Sequence, residues 1–128
     1  MAAGVVRRSP IHARERAAWK RRSVMQLAQM QLSRLWREHL AAGCPPELAG
    51  VEIAGADART LDAEITACVS AVICRSMTVD ERIERRLGEI RQALTSKQAQ
   101  AEEPVAAYCA RLNKLVGAML TESRTGRA

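Results

Sequence analysis

The sequence has very few aromatic residues: no phenylalanine, one tyrosine (Tyr108) and two tryptophans (Trp19 and Trp36) among its 128 residues. A hydrophobic core must therefore be built from Leu, Ile, Val, Met and Ala. These residues pack helix against helix well but give a sheet few aromatic cross-strand partners. A chain of this length is expected to form one domain with a compact core. The composition therefore predicts a single-domain, all-α protein.

Long apolar runs are also missing. No stretch of 18 consecutive apolar residues occurs, which excludes a membrane-spanning helix of ordinary length. The arginine pair Arg7–Arg8 is not followed by the apolar segment of a secretory signal. A mitochondrial presequence is the open alternative for this arginine-rich start, although the helical pattern continues into the body of the chain. We expect a cytoplasmic protein with no membrane partner.

Metal-binding patterns are absent. The four cysteines are separated by intervals of 24, 6 and 35 residues, without a C-x-x-C pair, and neither His12 nor His39 completes a zinc-ligand spacing. We therefore predict free thiols, no metal and no cofactor. The cysteines are Cys44, Cys68, Cys74 and Cys109.

Catalytic patterns are scarce as well. Nucleophilic catalysis needs a Ser or Cys beside a base that a third group orients, and no such trio is indicated. His39, next to Glu38, is interpreted as a helix-surface residue. Gly50 and Gly55 have the spacing of P-loop glycines, but Ala56–Asp57 stand where a phosphate-binding Lys-Ser/Thr is needed. We predict that the protein is not an enzyme and has no small-molecule substrate.

Capping residues and apolar spacing predict about four helices. The first begins at Ser9–Pro10 and ends at Gly43. The second, capped by Asp57 or Thr60, covers about 58–75 and is predicted to be the central helix because residues 65–74 carry no charge. A short strand is the alternative for its β-branched stretch.

The third predicted helix opens with a capping box formed by Thr78 and Glu81 and carries a narrow apolar seam. Residues 95–103 are polar, and either a loop or a frayed extension fits them. The fourth helix begins at Pro104 and ends before Gly126. The domain boundaries that we predict are a basic tail at 1–9, a helical bundle at 10–122 and a C-terminal tail at 123–128.

Positive charge is concentrated at the N-terminus. Residues 1–22 hold seven basic residues and one acidic residue, whereas residues 23–128 hold thirteen of each, so the net charge of +6 lies entirely in the first 22 residues. Such a cluster attracts phosphate backbones. It surrounds most of the helix, unlike a membrane-surface helix with one apolar face. The plainer alternative is that the positive charge of residues 1–22 only keeps the protein soluble. The predicted nucleic-acid-binding residues are Arg7, Arg8, Arg14, Arg16, Lys20, Arg21 and Arg22.

The first helix also carries an apolar stripe that continues backwards into charged residues, so its first turns are expected to project beyond the core. The stripe would then be partly exposed and would bind a partner or a second copy as a dimer. The alternative is that the last helix covers it. The predicted partner-binding residues are Met25, Leu32, Leu35 and Trp36.

A helix-turn-helix at Thr78–Val79 is a poor fit, because Asp80 and Glu81 stand where base-reading residues are needed. The arginines that follow, Arg82, Arg85 and Arg86, are interpreted as surface ion-pair residues. The predicted function is a non-enzymatic nucleic-acid-associated accessory or regulatory protein. The alternative is a helical protein–protein adaptor or assembly subunit without a nucleic-acid role.

Overall fold

The structure is a computed structural model that describes residues 10–127, apart from the side chains of residues 10–13, 21, 25 and 124–127. Within this range it confirms the predicted all-α bundle. Four helices, α1 to α4, are joined by short connections, and one two-stranded sheet lies between the first two. In chain order the elements are α1 (Pro10–Ala42), a 3-10 turn (Pro46–Leu48), β1 (Glu52–Ile53), β2 (Ala56–Asp57), α2 (Ala58–Ile73), α3 (Glu81–Gln100) and α4 (Val105–Arg127).

The ends of α1 agree with the prediction. The helix begins at Pro10, whose ring presets the backbone angle of a first helical residue. It stops at Ala42 because Gly43 adopts a φ of +68°, a left-handed conformation that glycine adopts without steric cost. The Gly43 N–H donates to the His39 carbonyl at 3.2 Å, which closes the last turn.

The irregular segment after α1 contains a small antiparallel sheet that the sequence did not predict. In it, Glu52 lies opposite Asp57 and Ile53 lies opposite Ala56. Asp57 also caps α2, because its carboxylate accepts hydrogen bonds from the backbone N–H groups of Arg59 and Thr60 at 3.0 and 3.3 Å. Of the two predicted caps, the structure therefore selects Asp57.

The central helix is α4, and the prediction that α2 is central is wrong. The α2 helix buries one stripe, Leu61, Ile65, Val69 and Val72. The other sides of α2 carry small uncharged residues such as Ala63 and Ala67, which are exposed. The lack of charge in residues 65–74 thus reflects small side chains rather than burial on all sides. The alternative of a strand is also excluded, since residues 58–73 are helical.

The α4 helix packs against α1, α2 and α3. Its stripe of completely buried side chains supplies much of the core: Tyr108, Cys109, Leu112, Leu115, Val116 and Met119. The helix continues through Gly126 to Arg127, so residues 123–127 extend it instead of forming the predicted tail.

The α3 helix has a different cap from the predicted one. The Asp80 carboxylate accepts from the Ile83 N–H at 2.9 Å, and the helix begins at Glu81, so the predicted capping box at Thr78 is wrong. The helix continues to Gln100 through the polar segment. It buries a narrow seam, Leu87, Ile90 and Leu94, as predicted. None of the helices in the described range is apolar enough over a sufficient length to cross a membrane.

Candidate functional site

The first half of α1 presents cations to solvent. Arg14, Arg16, Lys20 and Arg22 are all exposed. Ion pairs between described side chains involve Arg34, His39 and Arg86, and none of these four cations. Of the other predicted nucleic-acid-binding residues, Arg7 and Arg8 lie outside the described residues, and the side chain of Arg21 is not described.

This half of α1 contributes little to the core. Among the described side chains of residues 14–27 none is buried, and the first buried residue of the helix is Ala28. At 1.5 Å per residue, this part of the helix is about 20 Å long. Because no apolar stripe of this segment is taken into the core, its cations are available around the helix.

The outer side of α1 also presents apolar side chains. Trp19 is 66% exposed, Leu27 64% and Met30 60%. At 100° per residue, Leu27 and Met30 lie on the side of the helix opposite to the buried Leu32. All the large hydrophobic side chains that are exposed in the described part of the chain lie on this helix: Trp19, Val24, Leu27, Met30 and Leu40.

The predicted partner-binding stripe is largely part of the core. Leu32 is completely buried, and Leu35 and Trp36 are half-buried against the core. Prediction of Leu32 as a partner-binding residue is therefore wrong, because α4 packs on this side of α1. The Met25 side chain is not described. The residues that α1 leaves for a partner are those of the opposite side.

A polar cluster that the sequence analysis missed joins α1, α2 and α4. The His39 side chain is only 3% exposed, and its Nε2 lies 2.6 Å from Asp62 Oδ2. The Tyr108 hydroxyl donates to the same oxygen at 2.5 Å. Interpretation of His39 as a surface residue is therefore wrong. His39 follows Leu32 by seven residues and Leu35 by four, and this helical spacing could have placed it on the buried side.

Arg111 closes this cluster on the α4 side. Its Nε lies 3.4 Å from His39 Nδ1, and a terminal guanidinium nitrogen donates to the Gly43 carbonyl at 2.9 Å. Since a guanidinium only donates, His39 Nδ1 accepts and its Nε2 carries the proton that points to Asp62. The guanidinium carbon also lies 5.5 Å from the Tyr108 ring centroid, within cation–π range.

Hydrogen bonds decide the ionisation of this cluster. Burial raises the pKa of Asp62, but the hydrogen bonds from His39 and Tyr108 outweigh burial, so the pKa is lowered below its ordinary value and the carboxylate stays charged. Burial and the Asp62 charge raise the pKa of Tyr108, which keeps its proton. The cluster thus places one charged carboxylate between the His39 imidazole and the Tyr108 hydroxyl.

The nearby thiol of Cys44 is not activated. Burial and the Asp62 charge both raise its pKa above the ordinary value, whereas a nucleophilic cysteine needs a lowered pKa. This arrangement satisfies buried polar groups and ties three helices together. It does not form a nucleophile with its base.

No known protein family, curated protein or solved structure matches this chain.

The remaining arginine cluster, on α3, differs from that of α1. Arg86 lies 4.0 Å from Glu64 and 3.9 Å from Glu89, so it is a surface ion-pair residue as predicted. Arg82 and Arg85 are exposed. All four cysteines are free thiols. The described residues contain no group of three or more His, Cys, Asp or Glu side chains that could hold a metal ion.

Proposed function

We propose that this protein is a non-enzymatic nucleic-acid-associated accessory or regulatory protein that binds phosphate backbones through the first half of α1. The observation that carries the proposal is the set of exposed cations on a helical segment with no described buried side chain: Arg14, Arg16, Lys20 and Arg22. Every phosphate that such a cation neutralises releases a condensed counterion, which favours binding at low salt.

Trp19 supports a nucleic-acid partner over a simple solubilising role. Its indole is 66% exposed and lies one helical turn from Arg16 and next to Lys20. An exposed aromatic ring between cations can stack on an unpaired base while the cations contact the flanking phosphates. A solubilising arm gains nothing from an exposed indole, because the ring presents a large apolar area to water.

The test compares two triple variants that remove the same charge. Arg16→Ala, Lys20→Ala and Arg22→Ala change the proposed interface. Arg82→Ala, Arg85→Ala and Lys114→Ala change three exposed cations elsewhere. Affinity for a duplex and for a single strand is measured by fluorescence anisotropy across a salt series. Circular dichroism checks that both variants remain helical.

We expect the α1 variant to bind more weakly. The slope of log affinity against log salt concentration should fall in magnitude by roughly 2 to 3, since each phosphate contact contributes about 0.9 to that slope. The control variant should keep most of the affinity. Equal losses in the two variants would show that net charge alone drives binding, and an unchanged α1 variant would rule out this interface.

A protein–protein adaptor is the second candidate, and the exposed apolar side chains of α1 favour it. Leu27 and Met30 lie on the same side of the helix as Arg34 and Lys20, so the surface is apolar with a cationic border. Such a surface fits an acidic amphipathic helix. A second copy would place like charges against each other across this surface, which is unfavourable.

This candidate is tested with a designed amphipathic peptide in two forms, one with glutamates and one with lysines beside the same apolar face. We expect the acidic form to bind and Leu27→Ser with Met30→Ser to abolish binding. Val51→Ser with Val105→Ser, two half-buried positions outside α1, serves as the control pair. Equal binding of the two peptides would contradict the charge argument.

A further inference from the structure

A cleft of about 760 Å³ lies where the α2–α3 connection meets α1 and the end of α4. Its volume is in the range of small-molecule sites. Apolar side chains that line it are Val72, Met77 and Val79. Polar side chains that line it include Gln29 of α1, Arg75 of the connection and Glu122 of α4.

Hydrogen bonds between elements hold the walls of this cleft. Gln29 Nε2 donates to the Ile73 carbonyl at 3.2 Å, which ties α1 to the end of α2. The Ser123 hydroxyl donates to the Val79 carbonyl at 3.3 Å, which ties α4 to the connection. The walls therefore come from segments that are linked to one another, so the cleft is formed before any ligand arrives.

Arg75 occupies an unusual backbone conformation at the wall. Its φ of +57° is left-handed, a conformation that is unfavourable for a residue with a Cβ. Hydrogen bonds from Arg75 N to the Val72 carbonyl at 3.1 Å and from Ser76 N to the Ala71 carbonyl at 3.0 Å fix this turn. The guanidinium lies 3.4 Å from Gln29 Oε1, so it already has a partner across the cleft.

The cleft is acidic although the chain as a whole is basic. Its described lining holds three carboxylates, those of Asp80, Glu81 and Glu122, and one cation, Arg75. Asp80 is engaged in capping α3, which leaves Glu81 and Glu122. Burial raises the pKa of Glu122, and the charge of Arg75 opposes this rise. A cation placed beside Glu122 would favour its ionised form.

We propose that this cleft binds a small organic cation, an amine or guanidinium carried on an apolar chain. The cationic group pairs with Glu122 and Glu81, and the apolar chain lies on Val72, Met77 and Val79. This ligand site is separate from the basic surface of α1 and goes beyond the proposed nucleic-acid role. The sequence predicted no small-molecule substrate and carries no local signal for this site, because the lining comes from three distant stretches of the chain: residue 29, residues 72–81 and residues 122–123.

The experiment uses the full chain and three probes with the same six-carbon tail: hexylamine, hexanol and hexanoate. Chemical-shift changes in ¹⁵N–¹H spectra are followed during titration to millimolar concentration. We expect hexylamine to shift the amides of Val72, Met77 and Val79, with hexanol weaker and hexanoate weakest. Loss of the ion pair in Glu122→Gln should weaken hexylamine binding by about tenfold.

Glu102→Gln, an exposed position outside the cleft, is the matched control and should bind hexylamine like the original protein. If Glu122→Gln unfolds, Glu81→Gln at the rim takes its place, with a smaller loss expected. Equal binding of hexylamine and hexanoate would overturn the proposal. Shifts scattered over the surface, or no shift at all, would also overturn it. So would hexylamine binding that neither Glu122→Gln nor Glu81→Gln weakens.

Discussion

His39 and Asp62 face each other inside the bundle, with 2.6 Å between Nε2 and Oδ2. They are 23 residues apart in the chain, and their contact fixes the end of α1 against the start of α2. The Tyr108 hydroxyl adds α4 to the same carboxylate oxygen. Because the group that accepts both hydrogen bonds is charged, its loss is expected to cost more than that of an ordinary surface residue.

The first prediction concerns Asp62→Asn. It should lower the free energy of unfolding by about 1 to 3 kcal/mol at neutral pH, since a charged acceptor for two buried donors is lost. Urea denaturation measures this loss. Glu64→Gln, an exposed carboxylate two residues along the same helix, serves as the control and should change stability by less than about 0.5 kcal/mol.

The comparison of the original protein with Asp62→Asn also predicts a pH dependence of stability. The pKa of Asp62 in the folded protein lies below its ordinary value of 3.8, so the stabilisation is present above that value and is lost as the pH falls through the folded pKa. The stability difference between the original protein and Asp62→Asn should therefore shrink in acid below about pH 4. A difference that remains constant down to about pH 3 would contradict a lowered pKa.

The second prediction is an energetic coupling between Tyr108 and Asp62. Tyr108→Phe keeps the buried ring and removes only the hydroxyl that donates at 2.5 Å. Alone it should cost about 1 to 2 kcal/mol, and in combination with Asp62→Asn the two losses should fall short of additivity by about 1 kcal/mol. A double-mutant cycle from urea denaturation measures the coupling. Strictly additive losses would mean that the hydrogen bond contributes nothing to stability.

The third prediction separates the two sides of α1. Leu32 is completely buried whereas Leu27 is 64% exposed, so the same substitution tests both. Leu32→Ala should lower the free energy of unfolding by about 2 to 5 kcal/mol, because it leaves a cavity beside α4. Leu27→Ala should change it by less than about 0.5 kcal/mol. Comparable losses at both positions, measured by thermal or urea unfolding, would show that the outer side is also packed.

The fourth prediction concerns the thiols. Cys109 is completely buried, and Cys44 and Cys74 are exposed. Iodoacetamide should therefore modify Cys109 only after unfolding. The rate of Cys44 modification should continue to rise with pH beyond 9.0 instead of levelling off there, because burial and Asp62 raise its pKa above that ordinary value. Mass spectrometry of timed digests follows each cysteine, and rapid labelling of Cys109 in the folded protein would disprove its burial.

Local sequence patterns determined the helices and several of their ends. Asp57 caps α2 through bonds to residues two and three positions away, and Gly43 ends α1 through its own backbone conformation. Both effects act over one helical turn, so residue type and spacing are enough to predict them. At α3 the capping-box spacing predicted Thr78, whereas Asp80 caps the helix in the structure.

Tertiary structure alone decided which sides of the helices became core. The α2 helix looked central because residues 65–74 carry no charge, yet α4 is the helix that the others cover. Leu32 is buried because α4 lies against that side of α1. The His39–Asp62–Tyr108 cluster joins residues 23 and 46 positions apart. The acidic cleft likewise draws its lining from three distant stretches of the chain. Helix formation depends on neighbours within a turn, whereas these features depend on how separate helices meet, and spacing along the chain does not carry that information.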